Sequence, residues 1–129
     1  MKYLLIFSLI ILLSCEGVNV NPDSKTLEGV WVEVSNYSDT LKFLNIDGSE
    51  YLSLNRGSET KGGFQVPKSG SGPYEYNILS EEKISLRWSL SSNSDFNEYI
   101  FKQSGNFLII EKFFDPPSPG VFLTFRRIK

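Results

Sequence analysis

The chain has 129 residues, 13 basic and 15 acidic side chains, 14% aromatic residues, a single cysteine and no histidine. This length suits one domain around one core, and the near-balanced charge offers no basic surface for nucleic acid. Without histidine the commonest general base and the commonest transition-metal ligand are absent, which removes most hydrolase and metalloenzyme chemistry.

Lys2 precedes an apolar run, Tyr3 to Leu13, that closes on Leu12-Leu13-Ser14-Cys15. A charged start, a short apolar stretch and a small residue before a cysteine make a processing segment rather than a folded element. The run is about half of the roughly 20 residues that a bilayer-spanning helix needs. The stretch resembles the lipobox of bacterial lipoproteins. That resemblance implies a signal peptide over residues 1–14, removed by cleavage, and a Cys15 carrying diacylglycerol on its thiol and often an acyl chain such as palmitate on its new amine. Cys15 has no second cysteine with which to form a disulfide within the chain. Each buried methylene contributes about 0.8 kcal/mol, so two or three acyl chains anchor stably where one is marginal. The expected location is the cell envelope, with the membrane as partner through the N-terminal lipid. The outer membrane is preferred over the inner because Glu16, not an aspartate, follows the cysteine. Loss of Lys2 leaves twelve basic and fifteen acidic residues, a net charge of −3.

Residues 15–26 read as the lipidated cysteine and a flexible polar tether, and residues 27–129 as one domain. From Leu27 onward, short runs of Val, Ile, Leu, Phe and Tyr alternate with turn chemistry about every ten residues, an all-β signature. Eight strands are predicted. In chain order they are Glu28 to Val34, Thr40 to Ile46, Glu50 to Asn55, Tyr74 to Leu79, Lys83 to Leu90, Asn97 to Gln103, Asn106 to Phe113, and Val121 to Ile128. The fifth alternates most cleanly, with Ile84, Leu86, Trp88 and Leu90 on a buried face and Lys83, Ser85, Arg87 and Ser89 on a wet one. The seventh is apolar on both faces over Phe107 to Ile110, leaving an outer face that the tether, a loop or a partner could cover. The even joins, around Asp47-Gly48, Ser80-Glu81-Glu82 and Ser104-Gly105, are tight hairpins. The first join, Ser35 to Asp39, is short and polar; the third, fifth and seventh, Arg56 to Pro73, Ser91 to Phe96 and Phe114 to Gly120, are long. In an up-and-down meander this puts the tight turns at one end and the loops at the other.

Leu27-Glu28-Gly29-Val30-Trp31 at the start of the first strand resembles the Gly-x-Trp signature of lipocalins and bacterial lipocalin-like domains. Thr124-Phe125-Arg126-Arg127 on the last strand resembles the family's terminal arginine, which lies across the tryptophan and plugs the closed end. The pair implied here is Trp31 with Arg127, a stack worth roughly 0.5 to 2 kcal/mol; Arg126 then points to solvent. The implied fold is all-β, a small eight-stranded antiparallel up-and-down barrel, shorter than the family's usual members and lacking their helix after the last strand. Eight strands enclose a space that either side chains fill or one small ligand occupies.

Two uses follow. In the first, the chain is a non-enzymatic binding protein holding a small, partly apolar ligand at the open end, lined from Phe43, Tyr76, Ile84, Leu86, Trp88, Leu123 and Phe125. Those same positions would otherwise form the core. A buried Tyr76 hydroxyl needs a partner, which a ligand could supply. The Arg56 to Pro73 segment, with Arg56, Lys61 and Lys68 against Glu59 and an apolar island at Phe64 and Val66, reads as a lid for an anionic group or as a solvated loop. In the second use, a filled barrel binds or inhibits another protein through its open-end loops, with Phe113 and Phe114 as anchors stiffened by Pro116, Pro117 and Pro119. Glu33 would be a buried acid paired to an arginine or tyrosine, or a residue of the solvated rim. Asp95 with Glu98 is the one carboxylate pair placed for acid/base work, yet it has no nucleophile beside it. The expectation is no enzyme, no cofactor and no metal.

Overall fold

The computed structural model describes residues 24–114 and 117–129. Cys15, the signal segment and most of the tether lie outside the described residues. The elements are α1 (Ser24–Leu27), β1 (Gly29–Glu33), β2 (Thr40–Ile46), β3 (Ser49–Asn55), β4 (Ser58–Lys61), β5 (Phe64–Pro67), β6 (Gly72–Ile78), β7 (Lys83–Trp88), β8 (Asn97–Ser104), β9 (Phe107–Lys112) and β10 (Ser118–Arg127). Eight strands close into a barrel in the order β1-β10-β9-β8-β7-β6-β3-β2, every pair antiparallel. The barrel is all-β, and each of the eight predicted strands is one of its staves. Closure leaves no unpaired edge. Among the described residues no helix is long and apolar enough to cross a membrane.

Two features were not expected. The Arg56 to Pro73 segment is not one long loop: β4 and β5 form a hairpin inside it, with Lys61 opposite Phe64. Gly62 and Gly63 both adopt positive φ, 58° and 83°, as a two-residue hairpin turn demands. The Gly-Gly signal was present, but the strands are four residues each and mostly exposed, so they carry no core pattern to read. The second is α1, a helical turn within the stretch read as tether. Leu27 at its end is fully buried and its carbonyl accepts a hydrogen bond from the Trp31 indole at 2.8 Å. The chain is therefore tucked under the barrel before the first strand starts.

Trp31 is completely buried, and the Arg127 guanidinium carbon lies 4.4 Å from its ring centroid. Arg127 also donates to the Thr26 carbonyl, tying the last strand to α1. The neighbouring Arg126 is exposed. Gly29 has φ 129°, and a Cβ there would collide with the Lys129 carbonyl oxygen, which accepts from the Val30 amide at 3.0 Å. The Gly-x-Trp spacing thus has a physical cause: the chain's two ends cross at Gly29, two residues before the ring they enclose.

Alternate residues of each stave point inward. Leu41, Leu52, Ile84, Leu108, Ile110 and Phe125 are 0% exposed, and Phe43, Leu54, Tyr76, Leu86 and Phe101 lie within 2% of that. An eight-stranded barrel has just enough interior for side chains of this size. The fifth predicted strand stops at Trp88, so Leu90, expected on the buried face, falls in the following turn and is exposed. On β9 the outward Phe107 and Ile109 are 50% and 40% exposed, between Ser104 and Lys102 of β8 and Arg126 and Thr124 of β10, with Ile100 and Phe122 exposed further along those two strands.

Glu111 on β9 repairs a break in the ladder. The β9–β10 register shifts between Ser118 and Phe122, and β8–β9 pairing ends at Phe101 opposite Ile110. The Glu111 carboxylate accepts the Ile100 amide at 3.0 Å on one side and the Gly120 amide at 2.9 Å on the other. Those two backbone bonds, Ile100 first, hold its pKa below the ordinary 4.5. A depressed carboxylate contributes stability that is complete above the unfolded value and lost as pH falls through the folded one. Acid titration followed by circular dichroism should therefore show stability declining below about pH 4.5. Glu111→Gln should remove part of that decline, and an unchanged pH profile would show that the staple carries no stability.

Candidate functional site

The barrel's two ends differ as the joins imply. The turns at Asp47-Gly48, at 79–82 and at Gly105-Asn106 share one end with α1 and the last residues, while β1–β2, β3–β6, β7–β8 and β9–β10 are connected at the other. At that second end lies a hollow of about 450 Å³. Strand alternation builds its walls. Tyr74 stands one inward step above Tyr76 on β6, Trp88 one above Leu86 on β7, Tyr99 one above Phe101 on β8, and Phe113 follows Ile110 just past β9. The deeper residue of each pair belongs to the core, Leu86 also bordering the hollow; the upper rings line the mouth together with Ser94, Asp95, Asn97, Phe114 and Pro117.

The rings contact one another edge to face. Tyr74 meets Trp88 at 5.1 Å and 76°, and Phe113 at 5.0 Å and 87°. Phe113 meets Tyr99 at 6.1 Å and 64°, and Phe114 at 5.3 Å and 89°. Each such contact is worth about 0.5–1.5 kcal/mol beyond area burial. The Tyr74 hydroxyl donates to the Gly70 carbonyl at 2.8 Å, which fixes the ring from above. Burial, and then the Glu111 charge, push the Tyr99 phenol above its ordinary 10.0, so it stays a neutral donor at working pH.

The rim is tied by Arg56. Its Nε lies 3.4 Å from the Asp39 carboxylate, its Nη1 donates to the Ser69 carbonyl at 2.6 Å, and its guanidinium sits 4.5 Å over the Phe114 ring. One side chain thereby joins three connections. Lys61 is paired with Glu59 at 2.9 Å, so two of the segment's three basic groups are engaged within the protein, and Phe64 is 74% exposed rather than folded over the mouth. Arg56→Ala should cost about 1–3 kcal/mol, because Asp39 is 6% exposed and would keep a buried charge without its partner. Urea unfolding reads the loss, and hydrogen exchange should quicken at residues 56–71. A change below about 0.5 kcal/mol, the size of an ordinary surface substitution, would show that the connections are held without it.

Of the positions expected to meet a ligand, Leu86 and Trp88 line this hollow. Phe43, Tyr76, Ile84 and Phe125 are packed in the core, and Leu123 is partly buried against it. The Tyr76 hydroxyl donates to Glu50 at 2.8 Å, so the protein itself supplies the partner; burial first, then that carboxylate, drive its pKa well above the phenolic range. Glu33 is buried, and its carboxylate accepts from the Ser35 amide and hydroxyl and the Asn36 amide at 2.8–2.9 Å. It caps the first connection instead of pairing with an arginine or tyrosine. Asp95 and Glu98 are not brought together: Asp95 borders the hollow, whereas Glu98 is exposed and lies 3.6 Å from Lys83.

Sequence reading missed Tyr74, Tyr99, Phe113 and Phe114 as one group. Their strand positions were legible, but they meet only because β6 to β9 are consecutive staves. Among the described residues no cluster of three or more His, Cys, Asp or Glu side chains could hold a metal. No family profile, characterised protein or solved structure matches this chain.

Proposed function

We propose that this chain is a lipid-anchored, non-enzymatic lipocalin-like binding protein that takes a small, partly apolar molecule at the open end of its barrel. The observation that carries the reading is the aromatic hollow at the mouth, about 450 Å³, set above a core filled by its own side chains. Its size falls within the roughly 300–1,000 Å³ of ordinary small-molecule pockets, and its mixture of rings and a few polar groups is the usual lining. The site is the rim rather than the lumen, so Leu86 and Trp88 are the expected lining residues that serve it.

The anchor sets the orientation. Cys15 would lie nine residues before Ser24 and could reach at most about 32 Å when extended. Since α1 packs at the closed end, the mouth faces away from the membrane. A protein-binding use has one observation behind it, the open outer strip of Ile100, Phe107, Ile109 and Phe122. The anchors expected for it, Phe113 and Phe114, are buried at 5% and 3%.

Intact-mass spectrometry tests both parts at once, on the full chain extracted from its host's membranes in non-ionic detergent and compared under native and denaturing conditions. The expected species begins at Cys15, carries acyl chains and holds a stoichiometric adduct that denaturation releases. A bare barrel would remove the ligand reading and favour the outer strip, and an unmodified Cys15 would remove the anchor. Cys15→Ser should move the protein to the soluble fraction.

A further inference from the structure

We infer that the mouth hollow selects organic cations, a quaternary or tertiary ammonium on a small apolar body; this rests on the mouth being the ligand site. The walls carry the first part of the argument. Trp88, Tyr74, Phe113 and Tyr99 all line the hollow and meet in that order edge to face, at 64° to 87°, rather than as a stack. The face of each ring is the negative pole of its quadrupole, and a desolvated cation within about 6 Å of such faces gains roughly 2 kcal/mol or more.

Charge carries the second part. Among the described lining residues the only formal charge is the Asp95 carboxylate, and no described residue gives it a hydrogen bond or ion pair. An anionic ligand would be repelled there, and a neutral one would gain nothing from it. The segment bearing Asp95 is held on both sides. Ser94 Oγ donates to the Trp88 carbonyl, Asn97 Nδ2 to the Asp95 carbonyl at 3.3 Å, and Phe96 lies under Arg87 at 4.6 Å. The carboxylate is thus presented beside the Trp88 wall at little ordering cost.

The fold uses the same chemistry on itself, with Arg127 over Trp31, Arg87 over Phe96, and Arg56 and Lys112 over Phe114. Phe114 is therefore taken, which leaves the Tyr74, Trp88 and Tyr99 side, next to Asp95, for the ligand.

Calorimetric titration of the full chain in non-ionic detergent tests this with choline, its uncharged dimethylbutanol isostere, and acetate as an anion. Choline should bind about tenfold more tightly than the isostere, the ratio that cation–π attraction near a carboxylate produces. Asp95→Asn, at an exposed position with no structural bond to lose, should raise the choline dissociation constant about tenfold and leave the isostere unchanged. Trp88→Leu should abolish both. Equal binding of choline and isostere would overturn the cation inference while the mouth remains a ligand site. Binding of neither overturns it as well, and the native-mass adduct then decides separately whether the mouth holds a ligand of other chemistry.

Discussion

Trp31→Ala is expected to lower the unfolding free energy by about 3–5 kcal/mol, the range for deleting a fully buried large aromatic side chain. The ring is 0% exposed, donates to the Leu27 carbonyl and carries the Arg127 guanidinium on its face. Its loss opens a cavity under α1. It also removes the ring that faces Arg127 Nε, which is buried without a hydrogen-bond partner, and leaves the guanidinium held by the Thr26 carbonyl. Domains of this size hold about 5–15 kcal/mol in total, so the change would consume about a fifth of the margin or more. Trp31→Phe should cost less, because an aromatic face remains for the guanidinium and only the indole hydrogen bond and part of the volume are lost. Urea unfolding of the three proteins measures the series. A loss under 1 kcal/mol for the alanine variant, well below what a cavity that size should cost, would mean that the closed end does not depend on this ring.

Gly29→Ala should destabilise by about 2–4 kcal/mol for a different reason, combining a strained positive φ with a lost backbone hydrogen bond. At φ 129° an L side chain is disfavoured wherever it sits. Here the new methyl also meets the Lys129 carbonyl, which must withdraw and give up the Val30 amide. Deleting Lys129 in both the native and the Gly29→Ala backgrounds separates the two effects, because the collision and the Val30 bond are then absent from both and the stability gap that remains is the backbone strain. If no gap remains, the φ strain was negligible; if the gap is as large as with Lys129 present, the collision was.

How far the sequence reaches is clearest at particular residues. All eight barrel strands were legible because each has a half-buried face, and burial on one side writes a period of two. Trp31 and Arg127 were legible as a closing pair only through the resemblance of Gly29-Val30-Trp31 and Arg126-Arg127 to the Gly-x-Trp and terminal-arginine signatures of lipocalins. The β4–β5 hairpin was not, since its strands are short and solvated and only Gly62-Gly63 marked it. Glu33 and Tyr76 showed that they needed partners without showing which: the Ser35 and Asn36 amides depend on how one turn folds, and Glu50 is 26 residues from Tyr76.

The sequence by itself determined the eight barrel strands, the alternation that decides which residues are inside and the end at which the loops lie. These are local properties, written in periodicity, turn residues and position along one chain. Only the tertiary structure decided that the core is filled below the mouth, that Arg56 is spent on Asp39, that Asp95 and Glu98 part company, and that four aromatic residues from β6 to β9 line one hollow. The parting of Asp95 and Glu98 turns on how the β7–β8 connection folds, and the others on distances between residues of different staves and connections, set by barrel closure and by how deep in the pleat each side chain lies, which no window along the chain contains.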